Sequence, residues 1–277
     1  MTVDSHVHLW SGGSGYDVWI RRKIAGIDRD FTVADLREAS RGVDVTAVVL
    51  IHATEDPAET PHLLELASRE CLIAAVVGWA DVTAPDFGHQ LDGLMRHPKF
   101  RGIRVMPAFG GDPDWLSRPD VTQGFREIAR RDLTLDLLLT PAQLPHVLRV
   151  KRAVPDLRIM LNHCGRPVTA TGQLEPWATA LRAVAWSTDI CCKLSSLAER
   201  AGMDWQVTSL APYLDAVLDA FGPERVAFGS NWPVVNIAAS YAGWWGALEE
   251  MLRSHRLSEA ARAAIFAGNA AQFYKLS

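Results

Sequence analysis

Long apolar runs, cysteine pairs and blocks of one-signed charge are all missing from this chain of 277 residues. Each absence removes a class of protein. The longest wholly apolar stretch, 71–80, spans ten residues, whereas a membrane span needs about 18 or more. Of the 4 cysteines, Cys71 and Cys164 stand alone and Cys191 and Cys192 are adjacent. With no C-x-x-C spacing, the set suits a reduced cytoplasmic protein and excludes a disulfide scaffold. Net charge is −4, from 28 basic and 32 acidic residues. No basic stripe of the kind that nucleic acid requires is present. Residues 1–4 run straight into patterned sequence, so no signal peptide is expected. What remains is an ordinary apolar fraction of 48%, enough to bury a large core.

Short β-branched runs alternate with longer segments of helical period. Strands are expected over 2–6, 46–52, 72–78, 102–106, 134–139, 158–162, 190–194 and 226–229. Helices are expected over 33–40, 59–70, 123–131, 141–153, 176–186, 212–221 and 239–253. Runs that are apolar on both faces and separated by helices belong to parallel sheets. Eight such units in one uninterrupted chain predict a single α/β domain over 1–277, a closed (β/α)8 TIM barrel. No glycine-rich phosphate loop follows the first strand, which disfavours a doubly wound open sheet.

Barrels of this kind carry their chemistry at the C-terminal ends of the strands, and polar residues concentrate there. His6 and His8 are two apart, so in an extended strand both rings face the interior. His163 ends the sixth strand at a Gly-x-Pro turn, where imidazole can bind a metal, polarise a carbonyl or move a proton. Alternation puts Arg104 on one face with Gly102 and Met106, and a guanidinium there needs an anion or carbonyl. His52, Lys193 and Arg166 are further candidates, each equally readable as structural. Asn231 ends the eighth strand, and its carboxamide cannot titrate, although it can orient water or substrate. The 10 tryptophans, among them Trp10, Trp19, Trp79, Trp115, Trp232, Trp244 and Trp245, include several near strand ends. There they could stack on a sugar or flat ring, although packing between barrel and helices accounts for most.

These residues form an ordered set: Asp4-Ser5-His6-Val7-His8-Leu9-Trp10, Glu59-Thr60 before Leu63-Leu64-Glu65-Leu66-Ala67, and Val76-Val77-Gly78-Trp79. Arg101-Gly102-Ile103-Arg104, Asn162-His163-Cys164-Gly165-Arg166-Pro167 and Cys192-Lys193-Leu194-Ser195 follow. The set ends with Phe221-Gly222-Pro223-Glu224-Arg225, Phe228-Gly229-Ser230-Asn231-Trp232-Pro233-Val234 and Asn269-Ala270. Over nearly its whole length the chain resembles the amidohydrolase superfamily, in the branch of sugar lactonases and pyrone-dicarboxylate lactonases. The resemblance implies a metal-dependent-hydrolase type of barrel and a hydrolase of cyclic esters. Water would add to a lactone carbonyl held among His6, His8 and His163, and the ring oxygen would leave. The strand-eight base of these lactonases is usually Asp; here it is Asn231.

Catalytic candidates are therefore His6, His8, His163 and Asn231, with Arg104, His52, Trp79, Arg166 and Trp232 assigned to substrate. No strand-four Lys is present, and Leu138-Leu139-Thr140 closes strand five. With no carboxylate left to offset two ions, a binuclear site is not expected. The first choice is that no cofactor is required; the alternative is one zinc on His6, His8 and His163. Other readings stay open: a lactone isomerase, an engineered Asp-to-Asn change that traps a ligand, and a non-catalytic barrel that binds a small molecule. A metal-dependent decarboxylase ranks below these. A small-molecule substrate is the expected partner, without nucleic acid or membrane, and a homo-oligomer stays open.

Overall fold

A computed structural model describes residues 1–11 and 23–276; Trp19 lies outside the described residues. Eight parallel strands follow in sequence order around one sheet. They are β1 (Thr2–Val7), β2 (Val45–Ile51), β3 (Ile73–Gly78) and β4 (Phe100–Val105). Then come β5 (Thr134–Leu137), β6 (Arg158–Leu161), β7 (Cys191–Leu194) and β8 (Val226–Phe228). Outer faces such as Ile103, Val105, Leu135 and Leu137 pack into a shell beneath the helices. Inner faces place Val3, Val49, Ile51, Ala75, Val77, Met160 and Ala227 in a second cluster inside the barrel. Burial on both faces is why the strands read as continuous apolar runs.

The helices are α1 (Val33–Ala39), α2 (Glu59–Arg69), α3 (Phe87–Leu94), α4 (Pro119–Arg130) and α5 (His146–Ala153). They continue with α6 (Trp177–Ser187), α7 (Leu197–Ala201), α8 (Val207–Phe221) and α9 (Tyr241–Ser254). The C-terminal α10 (Glu259–Ala263) and α11 (Asn269–Phe273) complete the chain. Thr32 caps α1 reciprocally with Asp35, and the Ser240 hydroxyl accepts from the Gly243 amide at 3.0 Å to start α9.

Several boundaries differ from expectation. Helix α8 begins at Val207 rather than 212, because the Gln206 amide donates to Ser209 Oγ and opens the turn upstream of Pro212. Helix α4 begins at Pro119, a residue suited to a first turn because it has no amide to satisfy. Helix α3 gave little signal: only Phe87 and Leu91 are buried, and two glycines interrupt it. Strand β5 stops at Leu137, after which the Leu138 amide still donates to Val105 O at 3.1 Å.

The barrel closes through loop chemistry rather than a regular ladder. Asp4 Oδ1 accepts from the amides of His6 and Ser230 at 3.0 and 2.9 Å, and Ser5 Oγ donates to Phe228 O at 2.6 Å. Beyond β8, the Asn231 amide donates to His6 O at 2.9 Å and the His8 amide to Trp232 O at 2.7 Å. Gly229 makes the approach possible: a Cβ there would sit 3.0 Å from the Cβ of His6. At the opposite end, Ala270 and Tyr274 from the C-terminal segment join the interior cluster.

Candidate active site

Lys193 organises the floor of the site. Its side chain is fully buried, with Nζ 2.5 Å from Asp136 Oδ2 and 3.1 Å from His6 Nδ1. An ammonium can only donate, so His6 Nδ1 accepts and its proton sits on Nε2. That proton faces His8 Nε2 at 3.1 Å, which puts the His8 proton on Nδ1, where it meets Ile51 O at 2.8 Å. One buried cation thereby sets the tautomers of both imidazoles. Asp136 is fully satisfied: Asn162 Nδ2 donates to Oδ2 at 3.0 Å and Tyr274 OH to Oδ1 at 2.8 Å.

Burial and neighbouring cations fix the charge states. Burial pulls the Lys193 ammonium down to about 8 against the pull of Asp136. Burial first, then Lys193 for His6 and Arg104 for His8 and His163, drives these imidazoles well below the ordinary histidine range. All three rings are neutral near neutral pH.

His163 sits on the turn after β6 with φ +54°, followed by Cys164 at +53° and Arg166 at +57°. Left-handed backbone at consecutive residues with side chains is costly, and here it brings the His163 ring centroid to 4.5 Å from that of His6. His163 Nδ1 pairs with Ser195 Oγ at 2.7 Å. Its Nε2 makes no hydrogen bond among the described residues.

Arg104 and His52 brace one another. Arg104 Nη1 donates to His52 O at 3.0 Å, and His52 Nε2 lies 3.1 Å from Arg104 O. His52 Nδ1 also approaches Thr54 O at 2.7 Å, and burial with the Arg104 charge lowers this imidazole to about 3. A neutral ring has one proton for two carbonyls, and the shorter contact marks it on Nδ1. The Arg104 Nε–H is buried without an acceptor among the described residues, a donor available to a ligand carbonyl or hydroxyl. Glu59 holds the neighbouring loop, accepting from the Ala53 and Thr54 amides at 2.7 Å each.

Asn231 also has left-handed backbone, at φ +57°. Its Nδ2 donates to Glu199 Oε1 at 2.8 Å, with Ser196 Oγ at 3.4 Å. Burial raises the Glu199 carboxyl to about 7, opposed by the hydrogen bond from Asn231.

The remaining candidates divide. Trp79 lines a cavity of about 410 Å³ with Glu55, Asp81, Met106, Phe109 and Trp115. Arg166 stacks its guanidinium 5.0 Å from the Phe109 ring centroid. Trp232 does not offer a stacking face: it is 1% exposed and packs edge-to-face on Phe31 at 5.2 Å. Trp10 and Trp244 are likewise buried, their indole N–H groups donating to Arg29 O and Gly229 O.

Two buried carboxylates lie beside the candidate residues, in addition to the groups expected from the sequence. Asp136 lies at the centre of the site, opposite Lys193, and Glu199 lies against Asn231. Asp136 had a readable signal, a charged residue in the apolar run Leu135-Asp136-Leu137-Leu138-Leu139. Burying such a group unpaired is expensive, so it implies a partner. Glu199 had none, since an acid in a short helix normally reads as surface.

His6 and His8 present their Nε2 atoms to each other, but with Lys193 charged the His6 Nε2 carries a proton instead of a free lone pair. The described residues contain no group of three His, Cys, Asp or Glu placed to hold a metal ion. As arranged, the three histidines do not fit a zinc ion, which needs unprotonated donors.

A parallel (β/α)8 barrel with titratable side chains gathered at its C-terminal mouth has the layout of a barrel enzyme. The amidohydrolase family model matches residues 3–276, and the chain belongs to that family. It is 37% identical to an L-fucono-1,5-lactonase of Burkholderia ambifaria, over 99% of this chain and 95% of the relative. A second L-fucono-1,5-lactonase, from Burkholderia multivorans, is 34% identical over 100% of this chain and 96% of its own length. A crystal structure of an amidohydrolase from Burkholderia multivorans with bound zinc superposes with a TM-score of 0.91 at 34% identity, covering 100% of both chains.

Proposed function

We propose that this protein hydrolyses a lactone of a sugar acid, opening the ring to the free hydroxy acid. The observation that carries the reading is the full-length likeness to L-fucono-1,5-lactonase. The site's chemistry supports it. Water adds to the carbonyl carbon, the carbonyl oxygen gains negative charge, and preorganised donors stabilise that charge. The Arg104 Nε–H supplies such a donor, in a site where His6 and His8 are neutral and locked and where His163 Nδ1 pairs with Ser195 Oγ. The ring C–O bond then breaks, and the alkoxide takes a proton. Donation by buried protein groups does not require a metal, and no step above draws on one.

A pH-indicator assay over 1,5- and 1,4-lactones of sugar acids and over carboxylated lactones tests this reading, with metal content measured in the same preparations. The expected result is acid release on at least one sugar lactone that survives chelation. Conversion to a second lactone without acid release would establish an isomerase instead. Inertness toward the whole panel would refute the proposal.

A further inference from the structure

Resting on the lactonase reading above, we infer that Glu199 is the general base that takes the proton from the attacking water, with Asn231 as its positioning residue. A carboxamide at the end of strand eight has no proton-accepting role, yet Asn231 is not alone. Its Nδ2–H donates to Glu199 Oε1 at 2.8 Å, and the other oxygen, Oε2, is buried with no partner among the described residues. A buried carboxylate oxygen without a donor is costly to leave that way, and a substrate water supplies the donor it lacks. The carboxylate that strand eight does not provide comes from α7, the short helix after β7.

Both arms of the contact start from left-handed backbone, Ser196 at φ +59° and Asn231 at φ +57°. Such strain persists where surrounding structure holds it and concentrates at working sites. Asn231 is also tied by its amide to His6 O, so the Glu199 contact and the imidazole pair share one anchor. The charged neighbour of Glu199 is Arg200, whose Nε is committed to Pro167 O at 2.7 Å; the partners facing the carboxylate, Asn231 and Ser196, are neutral. Among the described residues, no cation makes a direct ion pair with the carboxylate. Burial holds its carboxyl at about 7, where one group can accept a proton and later return it.

The steps balance. Glu199 Oε2 takes a proton from water as the water oxygen bonds to the lactone carbonyl carbon, and the π pair moves to the carbonyl oxygen. The carbonyl re-forms as the ring C–O bond breaks. The departing alkoxide takes the proton from Glu199, which returns to its starting state, and one water has been added to one lactone.

The test compares wild type, Glu199→Gln, Asn231→Asp and the double variant on the best lactone of the panel. Gln keeps the acceptor that Asn231 uses and loses the group that accepts the proton. For Glu199→Gln, kcat should fall about 10²–10⁴-fold with KM nearly unchanged. The acid limb of the kcat/KM profile near pH 7 should disappear. The double variant should recover much of the rate, because a carboxylate is restored beside a neutral amide. Retention of rate to within about threefold and of the same limb in Glu199→Gln overturns the assignment, since loss of a general base costs far more. Should Glu199→Gln not fold, Asn231→Asp decides. Two carboxylates at hydrogen-bond distance must move the limb to higher pH, and an unmoved limb overturns the assignment. A wild type inert on every lactone defeats the lactonase reading and the base with it. An active wild type with an active Glu199→Gln defeats only the base.

Discussion

Within the barrel interior, β2–β3 on one side and β5 and β7 on the other contribute opposite materials, with the apolar Met160 of β6 between the latter two. Strands β2 and β3 contribute Val49, Ile51, Ala75 and Val77, all buried hydrocarbon. Strands β5 and β7 contribute Asp136 and Lys193, both fully buried and 2.5 Å apart. Burying the first set stabilises the fold at roughly 25 cal/mol per Å². Burying the second set costs desolvation, which is offset only because every polar atom finds a partner. Asp136 receives Lys193, Asn162 and Tyr274. The hydrocarbon side carries the fold, and the polar side orients the imidazoles above it.

The largest effect is expected where that offset is removed. Lys193→Met leaves Asp136 charged, buried and short of its cation, and should cost about 3–5 kcal/mol in urea unfolding. The double change Lys193→Met with Asp136→Leu should recover at least half of that loss. A single variant as stable as wild type would erase the distinction between the two sides.

Glu199 gives the next effect, and its sign depends on pH. Its folded carboxyl stands at about 7 against an ordinary 4.5, so the folded state holds the proton more tightly than the unfolded chain. Stability is therefore lost as pH rises from 4.5 to 7. Glu199→Gln removes that loss and should gain up to about 3 kcal/mol over wild type at pH 8 relative to pH 4. Thermal melts at the two pH values check it; an equal difference at both would contradict the raised carboxyl. Loss of activity together with gained stability is the signature of a group kept for function.

The smallest effect belongs to the hydrocarbon side. Ile51→Val removes one methylene from a site 1% exposed and should cost about 1 kcal/mol, independent of pH. A pH-dependent cost there would mean that the two sides are coupled.

Much of the fold was legible. The runs at 46–52 and 72–78 announce strands buried on both faces, and all eight expected strands are present, shifted by a few residues at their ends. The rings of His6, His8 and His163 lie together, and the Arg104 charge acts on His8 and His163. Trp232 misled because an aromatic at a strand end looks the same whether it faces a cavity or Phe31. Asp136 is marked in the sequence by its setting in an apolar run, whereas Glu199 carries no local signal.

Sequence by itself determined the alternation that makes the barrel, the His-x-His pair at its first strand and the neutral amide at its eighth. Periodicity is a local property, set by 3.6 and 2.0 residues per repeat, so it survives without coordinates. Only the tertiary structure decided that Lys193 on β7 reaches Asp136 on β5 across the intervening β6, and that this cation dictates which nitrogen of His6 carries a proton. It alone placed Glu199 against Asn231. Those meetings depend on closing a sheet and on a few left-handed loop residues, and neither leaves a periodic trace in the chain.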